Sequence, residues 1–202
     1  MADIYLGVFP TGRLSGVQLT RDSIVAAAVE ILDSYGLADM TMRRVATSLG
    51  VAPGALYWHI ANKQQLIAAI AAEILAPALV DAPATQAGLP ARLREAMLAH
   101  RDGAELVAAA LSQPESETRA VVEKQLEQTL RGDEDLTRVG AASLLHLVLG
   151  ATSLEQAQRQ HAVDTGAELP VEASADFHRG VDLLLAGLRV ATQSSESAPE
   201  PL

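Results

Sequence analysis

The chain has 202 residues and a formal net charge of −10, which fits one or two small domains and excludes a protein that is basic over its whole surface. It has no cysteine, which removes disulfide frameworks and thiolate metal sites. Hydrophobic residues make up 49% and aromatics only 3%, a balance that suits packed helices better than β-sheet, so the expected fold class is all-α.

Residues 1–18 contain Gly7, Pro10, Gly12 and Gly16 and lack a basic start followed by an apolar core. They read as a flexible N-terminal arm and not as a signal peptide. Arg13 in this arm is a candidate minor-groove contact, although a plain disordered tail is the simpler reading. Residues 20–35 form the first helix, capped by Thr20, with Asp22 at its positive end. Its buried stripe is Ile24, Ala27, Ala28, Ile31, Leu32 and Tyr35, and Gly36 ends it. Residues 41–49 and 53–58 are two short helices around a turn at Gly50. Thr41 caps the first, and Val45, Ala46 and Leu49 give it one apolar face. Gly50 suits the left-handed conformation of a helix end, and Pro53 suits a first-turn position that needs no N–H. Leu56 can pack back on the first short helix, which leaves Gly54, Ala55, Tyr57, Trp58 and His59 facing outward. Asn62 caps a fourth helix with Gln65 three residues later, Leu66, Ile67, Ile70 and Ile74 are its apolar side, and Pro77 marks its end.

From Pro90 the pattern stays helical. The expected helices are 91–101 with Leu93, Met97 and Leu98 inward, an apolar 104–111, 115–130 with Val121, Val122 and Leu126, and a long 136–159. A loop over 160–174 precedes a last helix at 176–191, with Phe177, Val181, Leu184, Leu185 and Leu188. Residues 194–202, rich in Ser, Glu and Pro, read as a disordered tail. The expected organisation is therefore arm 1–18, a first helical domain 19–76, a second 77–193 and tail 194–202. No apolar run reaches the roughly 18 residues of a membrane span, so a cytoplasmic protein without a membrane partner is expected.

A helix, a tight turn and a second crossing helix make the helix-turn-helix plan, whose second helix enters a DNA major groove. The plain alternative is a helical hairpin inside a bundle. The chain has three Tyr, one Trp and two Phe, and two of these six aromatics crowd one short helix beside a histidine. Such a short helix cannot bury them all, which marks a contact surface. The net charge is distributed to match: residues 1–75 hold five Lys/Arg against six Asp/Glu, and residues 76–202 hold ten against nineteen. A near-neutral N-terminal unit can bind DNA if its few cations share a face with helix N-termini.

The stretch from Leu19 to Leu75 resembles the DNA-binding domain of the TetR family of repressors. The likeness rests on Thr41-Met42-Arg43-Arg44-Val45-Ala46, on Leu49-Gly50-Val51 and above all on Ala55-Leu56-Tyr57-Trp58-His59-Ile60-Ala61-Asn62-Lys63. The last run is in the style of tetracycline-repressor-like members. The resemblance implies an N-terminal helix-turn-helix domain and a C-terminal helical domain for ligand binding and dimerisation. It also implies double-stranded operator DNA, a small-molecule effector and a second copy of the chain as partners.

The expected DNA contacts are Thr41, Arg43, Pro53, Gly54, Ala55, Tyr57, Trp58, His59 and Lys63. Arg can donate twice to a guanine edge, and Ala55 can meet a thymine methyl. Tyr57 and His59 resemble phosphate contacts of the family, Lys63 profits from the fourth helix's N-terminus, and Trp58 is expected to brace its helix. Arg44 reads as a packing or ion-pairing residue. In the second domain the long helix is apolar over a wide arc and contains Gly140, Ala141, Ala142, Gly150 and Ala151, so it is expected to be buried on more than one side. The expected homodimer interface is Leu144, Leu147, Ala151, Leu154, Val181, Leu184 and Leu188, in what the resemblance implies is a four-helix bundle across a two-fold axis. A larger monomeric core is the alternative.

The polar groups expected at an effector site are His100, Gln113, Gln125 and His146, on otherwise apolar helices. Gln125 matches a family glutamine that touches ligand. The resemblance breaks where tetracycline chemistry needs it. Val107 stands where a histidine helps hold the drug's magnesium, and Leu154 stands where a glutamate completes the site. Neither offers the oxygen or imidazole a divalent ion needs, so no metal and no cofactor is expected, and no tetracycline–magnesium response. No nucleophile elbow, Gly-rich phosphate loop or His-Glu-x-x-His is present, so no catalytic residues are assigned and an enzyme is not expected. The reading is a ligand-responsive transcriptional regulator, a repressor released from a palindromic operator by a small, largely apolar effector. The alternative is a constitutive dimeric DNA-binding protein without effector.

Overall fold

The computed structural model describes residues 19–81, 85–168 and 172–196. The predicted arm 1–18, with Arg13, and residues 197–202 of the predicted tail lie outside the described residues. The described residues form α1 (Arg21–Tyr35), α2 (Met42–Ser48), α3 (Pro53–Leu56), α4 (Lys63–Leu79), α5 (Gly88–Leu98), α6 (Gly103–Leu111), α7 (Glu117–Thr129), α8 (Glu134–Thr165) and α9 (Ala173–Glu196), with no strand among them.

The N-terminal helices start where their caps dictate. Thr20 and Ser23 bond each other's backbone N–H reciprocally at 3.1 and 3.0 Å, the Thr41 hydroxyl accepts from Arg44 N at 3.2 Å, and Asn62 Oδ1 accepts from Gln65 N at 2.9 Å. Gly50 adopts φ +70°, as its place after α2 requires. Ile24, Leu32, Val45, Leu56 and Leu66 meet in a fully buried cluster. α4 starts in this cluster and continues against α5 and α6; α5 lies between α4 and α8, and α8 packs on α7 and α9. One apolar core therefore runs from Ile24 to Leu185.

Several predicted boundaries move, each for a local reason. Pro77 lies inside α4, not at its end. It is exposed, as is Glu73 one turn earlier, so the carbonyl deprived of its partner can face water. α5 begins at Gly88, with Pro90 in the first turn, and stops at Leu98; the left-handed Asp102, at φ +53°, then leads into α6. α8 continues through the expected loop to Thr165 and is ended by Gly166 at φ +70°. Its polar extension supports itself through Gln160 to Asp164 at 2.8 Å and Thr165 to the carbonyl of His161 at 2.7 Å. α9 extends to Glu196, three residues into the predicted tail. α3 is only four residues long, and Tyr57–His59 form a hydrogen-bonded turn after it, not a further helical turn. Tyr35 and Val121, expected inward, are 47% and 48% exposed.

Candidate nucleic-acid interface and the helical body behind it

α2 and α3 present one outward face. Thr41, Arg43, Pro53, Gly54, Tyr57, Trp58, His59 and Lys63 are all exposed, and Ala55 is half-buried. Trp58 is 90% exposed, so it does not brace its helix as expected. Leu56 alone anchors α3, at 0% exposure. An indole left in water on a rigid turn offers a large apolar and hydrogen-bonding surface to a partner. A Cβ at Gly54 would meet nothing within 4 Å, so the start of α3 is open to a close approach.

The two neighbouring arginines differ in availability. Arg44 is committed: it pairs with Asp39 at 2.7 Å and lies over the Tyr35 ring at 3.8 Å, which also explains why Tyr35 is at the surface. Arg43 has no carboxylate partner among the described residues, and neither does Lys63. Both cations are free to meet phosphate or a base edge.

The second predicted set does not come together. His100 Nδ1 lies 3.1 Å from both carboxylate oxygens of Asp33. Gln113 donates to the carbonyl and side-chain oxygens of Gln64 at 3.4 and 3.2 Å. Gln125, half-buried between α7 and α4, donates to the carbonyl of Leu79 at 3.2 Å. His146 is exposed on α8. Among the described residues the four are dispersed: three are hydrogen-bonded to different parts of the chain and His146 faces out.

The predicted dimer residues also divide. Leu144 and Val181 are buried in the chain's own core at 0% and 1%. Leu147, Ala151, Leu184 and Leu188 are half-buried, and Leu188 presses on Gly140 of its own α8. Leu154 remains 61% exposed. Around it runs an outward stripe of Val139, His146, Gly150 and Leu154 on α8, matched by Leu183, Gly187 and Val190 on α9. Leu183 and Val190 are 74% and 63% exposed. Helical periodicity gave the apolar arc but could not say which part the chain itself covers.

Sequence reading missed the polar skeleton of the body. Arg94, 6% exposed, forms a two-pronged ion pair with Glu155, also 6% exposed, through Nε at 2.9 Å and Nη2 at 2.7 and 2.6 Å. Arg159 adds a second cation to Glu155 at 2.6 Å, and Arg94 lies 5.3 Å from the centre of the Phe177 ring. Arg159 at i+4 from Glu155 was the visible half of this signal; the Arg94 half lies 61 positions away. Thr152 was missed as well: it is fully buried, with no hydrogen-bond partner for its hydroxyl among the described residues.

An exposed aromatic and basic helix-turn-helix on a helical body defines a DNA-binding regulator. Residues 24–70 match the family model of bacterial regulatory proteins of the TetR family. The chain is 30% identical to the class E tetracycline repressor of Escherichia coli over 204 residues, covering 90% of this chain and 96% of that one. Among solved structures it resembles BioQ of Mycobacterium smegmatis with a TM-score of 0.77 and 38% identity, over 85% of this chain and 98% of that one. BioQ bound to its natural double-stranded DNA operator matches with a TM-score of 0.72. A variant TetR of Acinetobacter baumannii AYE in complex with minocycline matches with a TM-score of 0.73 and 25% identity, over 87% of this chain and 99% of that one.

The chain belongs to the TetR family. It is a DNA-binding transcription regulator with a helix-turn-helix, from a family of regulators and not of enzymes. No helix among the described residues is long and apolar enough to cross a membrane.

Proposed function

We propose that this protein is a repressor that binds a palindromic operator as a homodimer and is released by a small, largely apolar effector. The observation that carries the DNA half is the outward face of α2 and α3, where Arg43, Trp58, His59 and Lys63 stand exposed around a helix held only by Leu56. We take residues 19–76 as the DNA-binding unit and 77–193 as the effector-binding and dimerisation unit, with α4 crossing the boundary. The uncovered stripe of α8 and α9, with Leu154, Leu183 and Val190 exposed, supports the dimer reading, since one helix-turn-helix reads too few bases and two-fold dimers read paired half-sites. The operator-bound structure of BioQ supports the DNA reading, and the minocycline complex of a relative supports an effector.

The effector is taken as largely apolar because the core of the body is built from Leu93, Met97, Leu106, Val107, Leu144 and Val148. Thr152 Oγ1 is the anchor it would find: a buried hydroxyl without a partner gains most from a ligand's polar atom. Tetracycline held through magnesium does not fit. Val107 is fully buried and apolar, and Leu154 carries no donor atom. Isothermal titration with tetracycline and magnesium is expected to give no magnesium-dependent heat; a magnesium-dependent isotherm overturns this reading. The dispersal of His100, Gln113, Gln125 and His146 favours, as a second reading, a constitutive dimeric DNA binder.

Footprinting on DNA beside the protein's own gene, with a salt titration, tests the proposal. A protected, roughly palindromic site is expected. Arg43 and Lys63 from two protomers would neutralise four phosphates, so log affinity should fall with log salt at a slope of about −3 to −4. Absence of any protected site at low salt, followed by failure to enrich DNA from random genomic fragments, would sink the operator reading. An effector can release DNA only through its difference in affinity for the two forms, so operator must weaken effector binding by the same factor.

A further inference from the structure

We propose that Gln156 is a positioning residue for DNA recognition: it fixes the orientation of the DNA-binding unit on α8 and so sets the half-site spacing the dimer accepts. The inference rests on the dimeric operator reading above.

Both ends of the Gln156 amide are engaged. Its Oε1 accepts from Ala104 N at 2.9 Å, and its Nε2 donates to the carbonyl of His100 at 2.8 Å. α6 has no side-chain cap of its own, because the residue before it, Asp102, is turned left-handed. A helix start needs partners for its first N–H groups, and here the partner comes from a different helix. Gln156 therefore grips the connection between α5 and α6 from the α8 side.

The same connection grips the end of α1. Asp33 accepts from Arg101 N at 3.2 Å and lies 3.1 Å from His100 Nδ1. Asp102 Oδ2 accepts from Leu37 N at 2.8 Å, and Arg101 Nη1 donates to the carbonyl of Ser34 at 3.4 Å. The connection is closely packed, both against α1 and on itself. A Cβ at Gly36 would lie 2.6 Å from Asp102 Oδ2, and one at Gly103 would lie 2.3 Å from the carbonyl oxygen of Met97.

One turn of α8 thus points three ways. Leu154 is exposed on the proposed two-fold stripe, Glu155 is buried against Arg94, and Gln156 holds the connection. Displacement of α8 relative to its partner copy is passed through four hydrogen-bonded residues to the end of α1. α4 alone joins the two units covalently, and a single helix leaves rotation about its axis to be fixed by side contacts. On the other flank α6 packs on α4, and Gln113 donates to Gln64 at 3.2 to 3.4 Å. The bracket through Gln156 adds to that packing a set of hydrogen bonds from α8 through the α5–α6 connection to the end of α1.

The test compares affinities of the full-length protein for its footprinted operator and for copies with the spacer changed by one and by two base pairs. The readout is the ratio of off-spacing to native-spacing Kd. In Gln156→Leu this ratio is expected to shrink by about threefold or more, with native-spacing affinity less affected. Gln156→Glu keeps the acceptor for Ala104 N and loses the donor to His100, so an intermediate ratio is expected. Asp33→Ala opens the bracket at its exposed end, tests the same contact if Gln156→Leu does not fold, and is expected to shrink the ratio likewise. Gln113→Leu is expected to leave it unchanged. A paired footprint with an unchanged ratio in Gln156→Leu and Asp33→Ala, or an equal loss on all spacings, overturns the inference and leaves the dimeric reading standing. A wild-type footprint on a single half-site overturns both.

Discussion

The DNA-facing unit and the helical body use polar side chains in opposite ways. At the α2–α3 face the candidate contact residues are exposed and do little for the fold; Trp58 at 90% exposure and Arg43, which has no carboxylate partner among the described residues, could be removed without opening the core. In the body several charged and amide groups are engaged with the chain itself: Arg94 with Glu155, Gln156 with the α5–α6 connection, Gln125 with the end of α4. A surface that must meet DNA keeps its cations free, since each phosphate contact has to form anew. In the dimer proposed above, a body that holds two DNA-binding units in register would gain from buried pairs with a single geometry.

This contrast can be broken at several points. Arg94→Ala should have the largest effect. It strands the Glu155 carboxylate in the core with only Arg159 beside it, and should cost about 3 kcal/mol of stability, read as a lower midpoint in chemical denaturation. Arg43→Ala and Trp58→Ala should do the opposite. Operator affinity should weaken by about 1–3 kcal/mol for Arg43→Ala, while the unfolding midpoint of either variant stays within about 0.5 kcal/mol of wild type. A matching fall in stability would mean the face is structural after all. Gly36→Ala tests the seam between the regions: φ +86° with ψ 172°, a conformation essentially confined to glycine, should cost about 1–3 kcal/mol in the same denaturation assay. Thr152→Val is the smallest change and carries the opposite sign. Replacing a buried, unpartnered hydroxyl by a methyl should leave stability unchanged or raise it by up to about 1 kcal/mol, and weaken any effector that releases the operator.

The N-terminal unit was legible because its signals are local. Thr20, Thr41 and Asn62 cap their helices through residues three positions away, Gly50 turns where the apolar period breaks, and Leu56 lies one turn from the residues it leaves exposed. The face followed from that geometry, except that Trp58, expected to brace α3, stands in solvent because α3 is too short to offer it a groove. The candidate effector residues were chosen as polar groups on apolar helices, and that pattern cannot separate a ligand contact from an internal hydrogen bond. His100, expected at the effector site, lies against Asp33, 67 positions away.

What the sequence by itself determined is therefore the all-α class, the helix-turn-helix and the residues it presents. These depend on backbone propensity, caps and periodicity within one or two helical turns. Tertiary structure alone decided which part of the apolar arc of α8 and α9 is left uncovered, that Arg94 and Glu155 are buried as a pair, and that Gln156 caps a helix other than its own. Each of these depends on which distant surfaces are brought into contact. A side chain within one helix cannot signal that in advance, because the same hydrogen-bonding group is satisfied equally well by water until the fold excludes it.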